Sequence, residues 1–153
     1  MNNRKAIPLF FAIGLSLMMV FSSCKKDEEP LFPLEPFITL DSVSQTTLAE
    51  FQENLRLYIS YQDGDGDLGF FHPDSNSIYV LDSRLIDPDE YHIQPLAPLD
   101  EVLPIQGSLV VELKAPFKLG SGGDEVIQFT VTIKDRAGNW SNPTISPDIT
   151  ITD

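Results

Sequence analysis

The sequence predicts an all-β fold, an antiparallel β-sandwich of about seven strands, on three observations. Leu55, Leu57, Ile59 and Tyr61 alternate with Arg56, Tyr58 and Ser60, the period-two signature of a strand with one buried face. Ile127, Phe129, Val131 and Ile133 alternate in the same way with Gln128, Thr130, Thr132 and Lys134. The remaining apolar runs are short and separated by Pro, Gly, Asp and Ser, and none sustains a 3.6-residue period. Short strands at this spacing are the pattern of immunoglobulin-like and fibronectin type III-like sandwiches. The folded domain is expected over residues 37–153.

The chain opens with a segment of another kind. Arg4 and Lys5 precede an apolar run from Ala6 to Phe21, and Phe21-Ser22-Ser23 leads to Cys24, the single cysteine. A positive start, an apolar core and small residues before a cut site make a secretory signal peptide over residues 1–23. The run is short for a membrane span, which needs ~20 apolar residues, and one cysteine cannot form an internal disulfide. A cysteine at the cut site is what a lipoprotein signal peptidase requires, so Cys24 is expected to be lipidated and to begin the mature chain. Phe21 stands where the usual motif has leucine.

The residues that follow carry a resemblance. Cys24-Lys25-Lys26-Asp27-Glu28-Glu29 resembles the surface-export signal of Bacteroidetes-type lipoproteins, which is a cysteine, any residue, lysine and then two acidic residues. The resemblance implies an outer-membrane lipoprotein held by an N-terminal lipid (palmitate and related acyl chains) and facing outward. Residues 24–36 then read as a tether, with Pro30, Pro33 and Pro36. Pro-rich chain extends at ~3.1 Å per residue, giving the twelve residues after the cysteine a reach of ~37 Å.

Charge narrows the partners. All 23 acidic residues but only 8 of the 10 basic ones lie after residue 23, a formal charge of −15 for the mature chain. Nucleic-acid binding rests on Lys and Arg contacts to phosphate, so it is not expected. Anionic lipid would repel the domain, which leaves anchoring to the acyl chains. A divalent cation suits this surface.

Further strands are expected at Phe37 to Val43, Ser77 to Leu81, Glu90 to Gln94, around Leu109, Val111 and Leu113, and over Ile145 to Ile151. Pro147 cannot donate to a ladder, so the last of these is expected to be an edge strand or bulged. Thr46 to Glu53 is read as one helical turn.

Asp63-Gly64-Asp65-Gly66-Asp67-Leu68-Gly69 follows the first clean strand. Carboxylates at alternate positions suit a hard, oxygen-seeking cation, and the glycines let the backbone curl so that they converge. The plain alternative is a tight Asp-Gly turn. The loop resembles the opening of calcium loops in EF-hands, dockerins and thrombospondin type-three repeats. Counted from Asp63, however, position six is Leu68 and position twelve is Asp74, so an EF-hand proper is rejected. In an immunoglobulin-type sandwich the loops after Leu55–Gln62 and Ile127–Lys134 lie at one end. Asp135, and Asn139 with it, would then approach Asp63, Asp65 and Asp67, as scattered acidic residues do in cadherin-like modules. The expected cofactor is a loop-stiffening Ca2+ on Asp63, Asp65, Asp67 and Asp135.

Trp140 and Asn139 are candidate ligand contacts, with packing at a strand end the plainer role for a lone Trp. His72 and His92 have no Cys or His partner at zinc-site or triad spacing, and no catalytic residue is assigned. Asn139-Trp140-Ser141 matches a glycosylation sequon by accident of sequence, and Asp41-Ser42-Val43 resembles a short O-glycosylation signal at Ser42. The Asp63–Gly69 block, Gln106 to Leu109 and Ile133 to Asn142 together resemble a group of small Bacteroidetes-type surface lipoproteins. That resemblance implies the fold and brings no activity with it. The leading expectation is a non-catalytic, surface-displayed module for binding a protein or glycan, or serving an envelope assembly. The alternative is a carbohydrate-binding lipoprotein of a polysaccharide-uptake system. A small hydrolase using paired carboxylates such as Asp65 and Asp135 comes last.

Overall fold

A computed structural model describes residues 31–153. The expectations for the signal peptide, Cys24 and the first part of the tether fall outside the described residues. Within them the chain is all-β, and no helix long and apolar enough to cross a membrane occurs. Ten strands follow in order: β1 (Phe37–Val43), β2 (Thr47–Ala49), β3 (Leu55–Asp63), β4 (Ile78–Asp82), β5 (Asp89–Tyr91), β6 (Ile105–Leu113), β7 (Glu125–Ile127), β8 (Phe129–Ile133), β9 (Thr144–Ile145) and β10 (Ile149–Thr152).

Pairing sorts them into sheets with the orders β1-β3-β6, β2-β10-β7 and β5-β4-β8-β9. The ladders are antiparallel except that between β2 and β10, which is parallel. The last two sheets are nearly one, because β7 runs into β8 and β9 into β10. Their break falls at Gln128 on one strand and at Ser146 to Asp148 on the other. Two serines repair it. Ser83 Oγ accepts from the Gln128 amide at 3.1 Å, and Ser146 Oγ accepts from the Phe129 amide at 2.9 Å. Each hydroxyl stands in for a missing ladder carbonyl, and at Phe129, where the bond is buried, an amide left without an acceptor would cost free energy.

The core consists of the inward positions that alternation marks. Leu55, Leu57 and Ile59 of β3 face the same cluster as Val131 and Ile133 of β8 and Ile149 of β10. At about 25 cal/mol per Å2 of apolar surface removed from water, such burial is the main favourable contribution to folding. Burial also explains the register of β3 on β6, nine successive pairs with no shift, since a slip of one residue would turn every leucine outward.

Two expectations are corrected. Thr46 to Glu53 is not a helical turn: Leu48 is buried, and β2 lies parallel along β10, covering an edge that would otherwise be unpaired. The last expected strand, Ile145 to Ile151, is an edge only in part: β9 ends its sheet, whereas β10 sits between β2 and β7. Pro147 is accommodated in the break between β9 and β10 instead. Phe37 to Val43 and Leu109 to Leu113 fall in strands as expected, the latter extended back to Ile105.

Replacing Ser146 by Ala strands the Phe129 amide in the core. Urea unfolding of S146A should show a loss of about 1–3 kcal/mol, against less than about 0.5 kcal/mol for S108A at an exposed position of β6.

Candidate metal centre

β3 and β8 belong to opposite sheets, yet the chain leaves both at the same end of the molecule. Asp63 is the last residue of β3, and Asp135 lies two residues beyond β8. Asp63, Asp67 and Asp135 each offer a carboxylate oxygen within 4.8 Å of the others. Asp63 and Asp135 have no solvent exposure, and Asp67 is partly buried. Asp65 lies outside this trio, although its charge acts on both Asp63 and Asp67.

Hydrogen bonds position part of the cluster. Asp135 Oδ1 accepts from the Asn139 amide at 2.7 Å, and Oδ2 from Asn139 Nδ2 at 2.9 Å. Asn139 thus braces Asp135. Asp67 Oδ2 accepts from the Ala137 amide at 2.8 Å. What remains is the unusual part: both oxygens of Asp63, Oδ1 of Asp65 and Oδ1 of Asp67 are buried without a hydrogen-bond partner. Buried carboxylates are normally paired, hydrogen-bonded or bound to a cation.

The nearest cation does not neutralise them. The Arg136 guanidinium donates instead to backbone carbonyls, reaching Gly69 at 2.9 Å, Leu68 at 3.3 Å and Gly66 at 3.4 Å. The ion pairs among the described residues lie elsewhere, at Arg56–Glu112, Arg84–Asp82, Arg84–Glu125 and Lys118–Asp153. Two carboxylates at this separation repel by about 3–4 kcal/mol at an effective dielectric of about 20. Burial, then the charges of Asp65 and Asp67, push the Asp63 carboxyl up to about 6 from 3.8, against the pull of the Asp67 amide, which makes no full hydrogen bond to it. Burial and then Asp135 also raise Asp67, against the pull of the Ala137 amide and Arg136.

The glycines of the loop mark crossings as much as turns. At Gly64 a Cβ would collide with the carbonyl oxygens of Phe32 and Pro33. At Gly69, which also has φ +85°, it would collide with the Gln94 carbonyl. Gly66 is crossed by the Leu103 carbonyl in the same manner, and the Leu103 amide donates to Asp65 O at 3.2 Å. Three other stretches of chain therefore press on this loop. It is held from outside, and the acidic residues cannot relax apart by opening it.

The donor set is all oxygen, with no Cys or His in the cluster. Such a set suits Ca2+, Mg2+ or Mn2+ and not the softer metals. A site of several carboxylates in a carbonyl-rich loop favours Ca2+, which takes six to eight oxygens in adaptable geometry. Asp63, Asp67 and Asp135 would hold it directly, with Asp65 able to add an oxygen.

The other residues singled out are elsewhere. Trp140 is 48% exposed, packs on Tyr79 at 4.8 Å between ring centroids, and lies 5.4 Å from the Lys134 ammonium. His92 Nδ1 bonds Ser75 O at 2.7 Å and its Nε2 bonds Gln94 at 3.0 Å, whereas His72 stands edge-on to Phe71. Arg136 was not anticipated from sequence, since an arginine after an aspartate carries no signal that it will serve carbonyls. No protein-family model, curated protein or solved structure matches the chain.

The raised carboxyl of Asp63 sets the sign of a pH dependence. Between pH 5 and pH 7 the folded protein gives up a proton at Asp63 that the unfolded chain has already lost, so stability falls as pH rises. In chelator, the melting temperature should drop from pH 5 to pH 7, and the D63N variant should lose most of that slope.

Proposed function

We propose that the domain is a calcium-stabilised, non-catalytic immunoglobulin-like module of an outer-membrane lipoprotein, displayed outward on a lipid-bearing Cys24. Its role is to bind a partner or to serve a larger envelope assembly. One observation carries the calcium reading: the Asp63 carboxylate is wholly buried, has no hydrogen-bond donor on either oxygen, and shares its position with two other carboxylates. A bound divalent cation would convert this repulsion into attraction and tie the loop after β3 to the loop after β8. It would stiffen one end of the sandwich without needing a reacting group.

The strand order supports the immunoglobulin-like assignment. β1-β3-β6 forms one layer, and β2-β10-β7 with β5-β4-β8-β9 forms the other. The chain passes between layers from β1 to β2, which then lies parallel to the last strand. The lipoprotein reading rests on Arg4 to Cys24 and the charged residues that follow. The non-catalytic reading is supported by the histidines, since both ring nitrogens of His92 are engaged and neither histidine joins the acidic cluster.

Calcium should raise the melting temperature of the chelated protein. Extracellular calcium modules bind at 10⁻⁴–10⁻³ M, so 10 mM calcium would stand about 100-fold above the tighter limit. That corresponds to about 2.7 kcal/mol of stabilisation, or roughly 10 °C for a domain of this size. D63N and D135N should abolish the rise. An unchanged midpoint in wild-type protein would sink the calcium reading.

A further inference from the structure

The two long sides of the sandwich are finished differently. On one side β1 is joined to the start of β9 by side chains. The Ile38 amide donates to Asn142 Oδ1 at 2.9 Å, Asn142 Nδ2 donates back to Ile38 O at 2.9 Å, and the Leu40 amide donates to Thr144 Oγ1 at 3.2 Å. On the other side β6 pairs with β3 alone and β5 with β4 alone. Among the described residues no further backbone hydrogen bond reaches β6. The part of this seam nearest the acidic loop is covered by residues 92–96, where Ile93 O accepts from Phe70 and the Leu96 amide donates to Leu68 O. The rest opens as a cleft of about 770 Å3 against Tyr91, Leu113, Phe117 and Phe129.

β6 lacks the usual protection of an edge. Natural edge strands are kept short, bulged, or marked with Lys or Pro so that other chains do not pair with them. β6 is nine residues long, keeps an unbroken register, and contains neither Lys nor Pro. Its single charge, Glu112, is tied to Arg56 at 2.9 Å and Asn54 at 2.7 Å. At the mouth of the cleft Phe51 is 68% exposed with φ +58°, a left-handed conformation costly for a bulky residue. Its ring lies parallel to that of Phe117 at 6.1 Å. Strain of this kind concentrates at ligand clamps and switch regions.

We propose that an extended segment of another protein, alternating apolar residues and carrying Lys or Arg, adds to β6 as a further strand and seats an apolar side chain in the cleft. Free N–H and C=O groups along a strand edge are satisfied by another extended backbone, and a pocket for alternate side chains supplies selectivity. The charge of the partner follows from the rim. Arg84 is already held by Asp82 at 2.7 Å and Glu125 at 2.6 Å. Asp89 and Glu90 remain exposed beside Lys114, on a chain of formal charge −13. A second copy of this chain fits less well, because it would bring the same acidic rim against its twin. The cleft lies at the Leu113 end of β6, opposite the Ile105 end that pairs with Asp63.

The test uses the full chain and a library of ten-residue synthetic peptides that alternate Val, Ile, Leu or Phe with Thr, Ser or Lys. Binding members should slow amide hydrogen exchange over residues 105–113. Methylating alternate peptide amides, or replacing peptide Lys by Glu, should weaken binding at least tenfold. V110K, at a position 57% exposed, should keep the wild-type melting temperature and lose the binding. The proposal is overturned if no peptide protects β6 or if amide-methylated peptides bind as well as their parents. It is equally overturned if the chain alone forms a dimer whose protected amides are those of β6, which would assign the edge to a second copy.

Discussion

The burial of the Asp63 carboxylate at the end of β3 is the constraint around which one end of this molecule is arranged. A strand whose interior residues are leucine and isoleucine delivers, at its last position, a charge with no donor to meet it. The surroundings keep it there. Asn139 fixes the neighbouring Asp135, the Ala137 amide holds Asp67, and Arg136 spends its donors on carbonyls of the loop. Each of these contacts orders the acidic residues without cancelling their charge. Ordinary stabilising design would have aimed the guanidinium at the carboxylates, so the charge at this end is conserved by the geometry and left for something else to neutralise.

The remainder of the fold shows how small polar side chains maintain a ladder that the backbone cannot complete. Ser83 and Ser146 act at the break between β7 and β8. Ser141 does the same after β8, accepting from the Ile133 amide at 2.9 Å. Asn142 and Thr144 extend the principle from one strand to the join between sheets. A hydroxyl can accept one hydrogen bond while donating another, which is why serine suits these places. Ser146 Oγ donates to Pro147 O at 2.8 Å while it receives from Phe129.

Much of this was legible in the sequence, for identifiable reasons. The alternations at Leu55 to Tyr61 and Ile127 to Ile133 mark a buried face directly, and the strands lie there, with Gln128 as the one interruption. The meeting of Asp63 and Asp135 followed from placing two loops at the same end, a consequence of topology more than of either loop's composition. β2 was hidden because Thr47-Leu48-Ala49 has only one buried side chain, and its pairing with β10 depends on residues about a hundred positions away. Pro147 marks the break after the edge strand β9, but nothing in Ile149-Thr150-Ile151 signals that β2 will pair along its other side. The glycines suggested turns, whereas Gly64 and Gly69 are places where another backbone touches the loop. Nothing local in a sequence reports such a crossing, nor the closed and open sides of the sandwich.

The crossing at Gly64 has a consequence for a load applied from the N-terminal side. The carbonyls of Phe32 and Pro33 bear on the acidic loop before the chain enters β1, so a pull on the N-terminal segment reaches that loop ahead of any β-ladder. Such a pull would then be met first by the loop that holds the clustered carboxylates. The open seam at the Leu113 end of β6 lies at the other end of β3, away from that first point of strain.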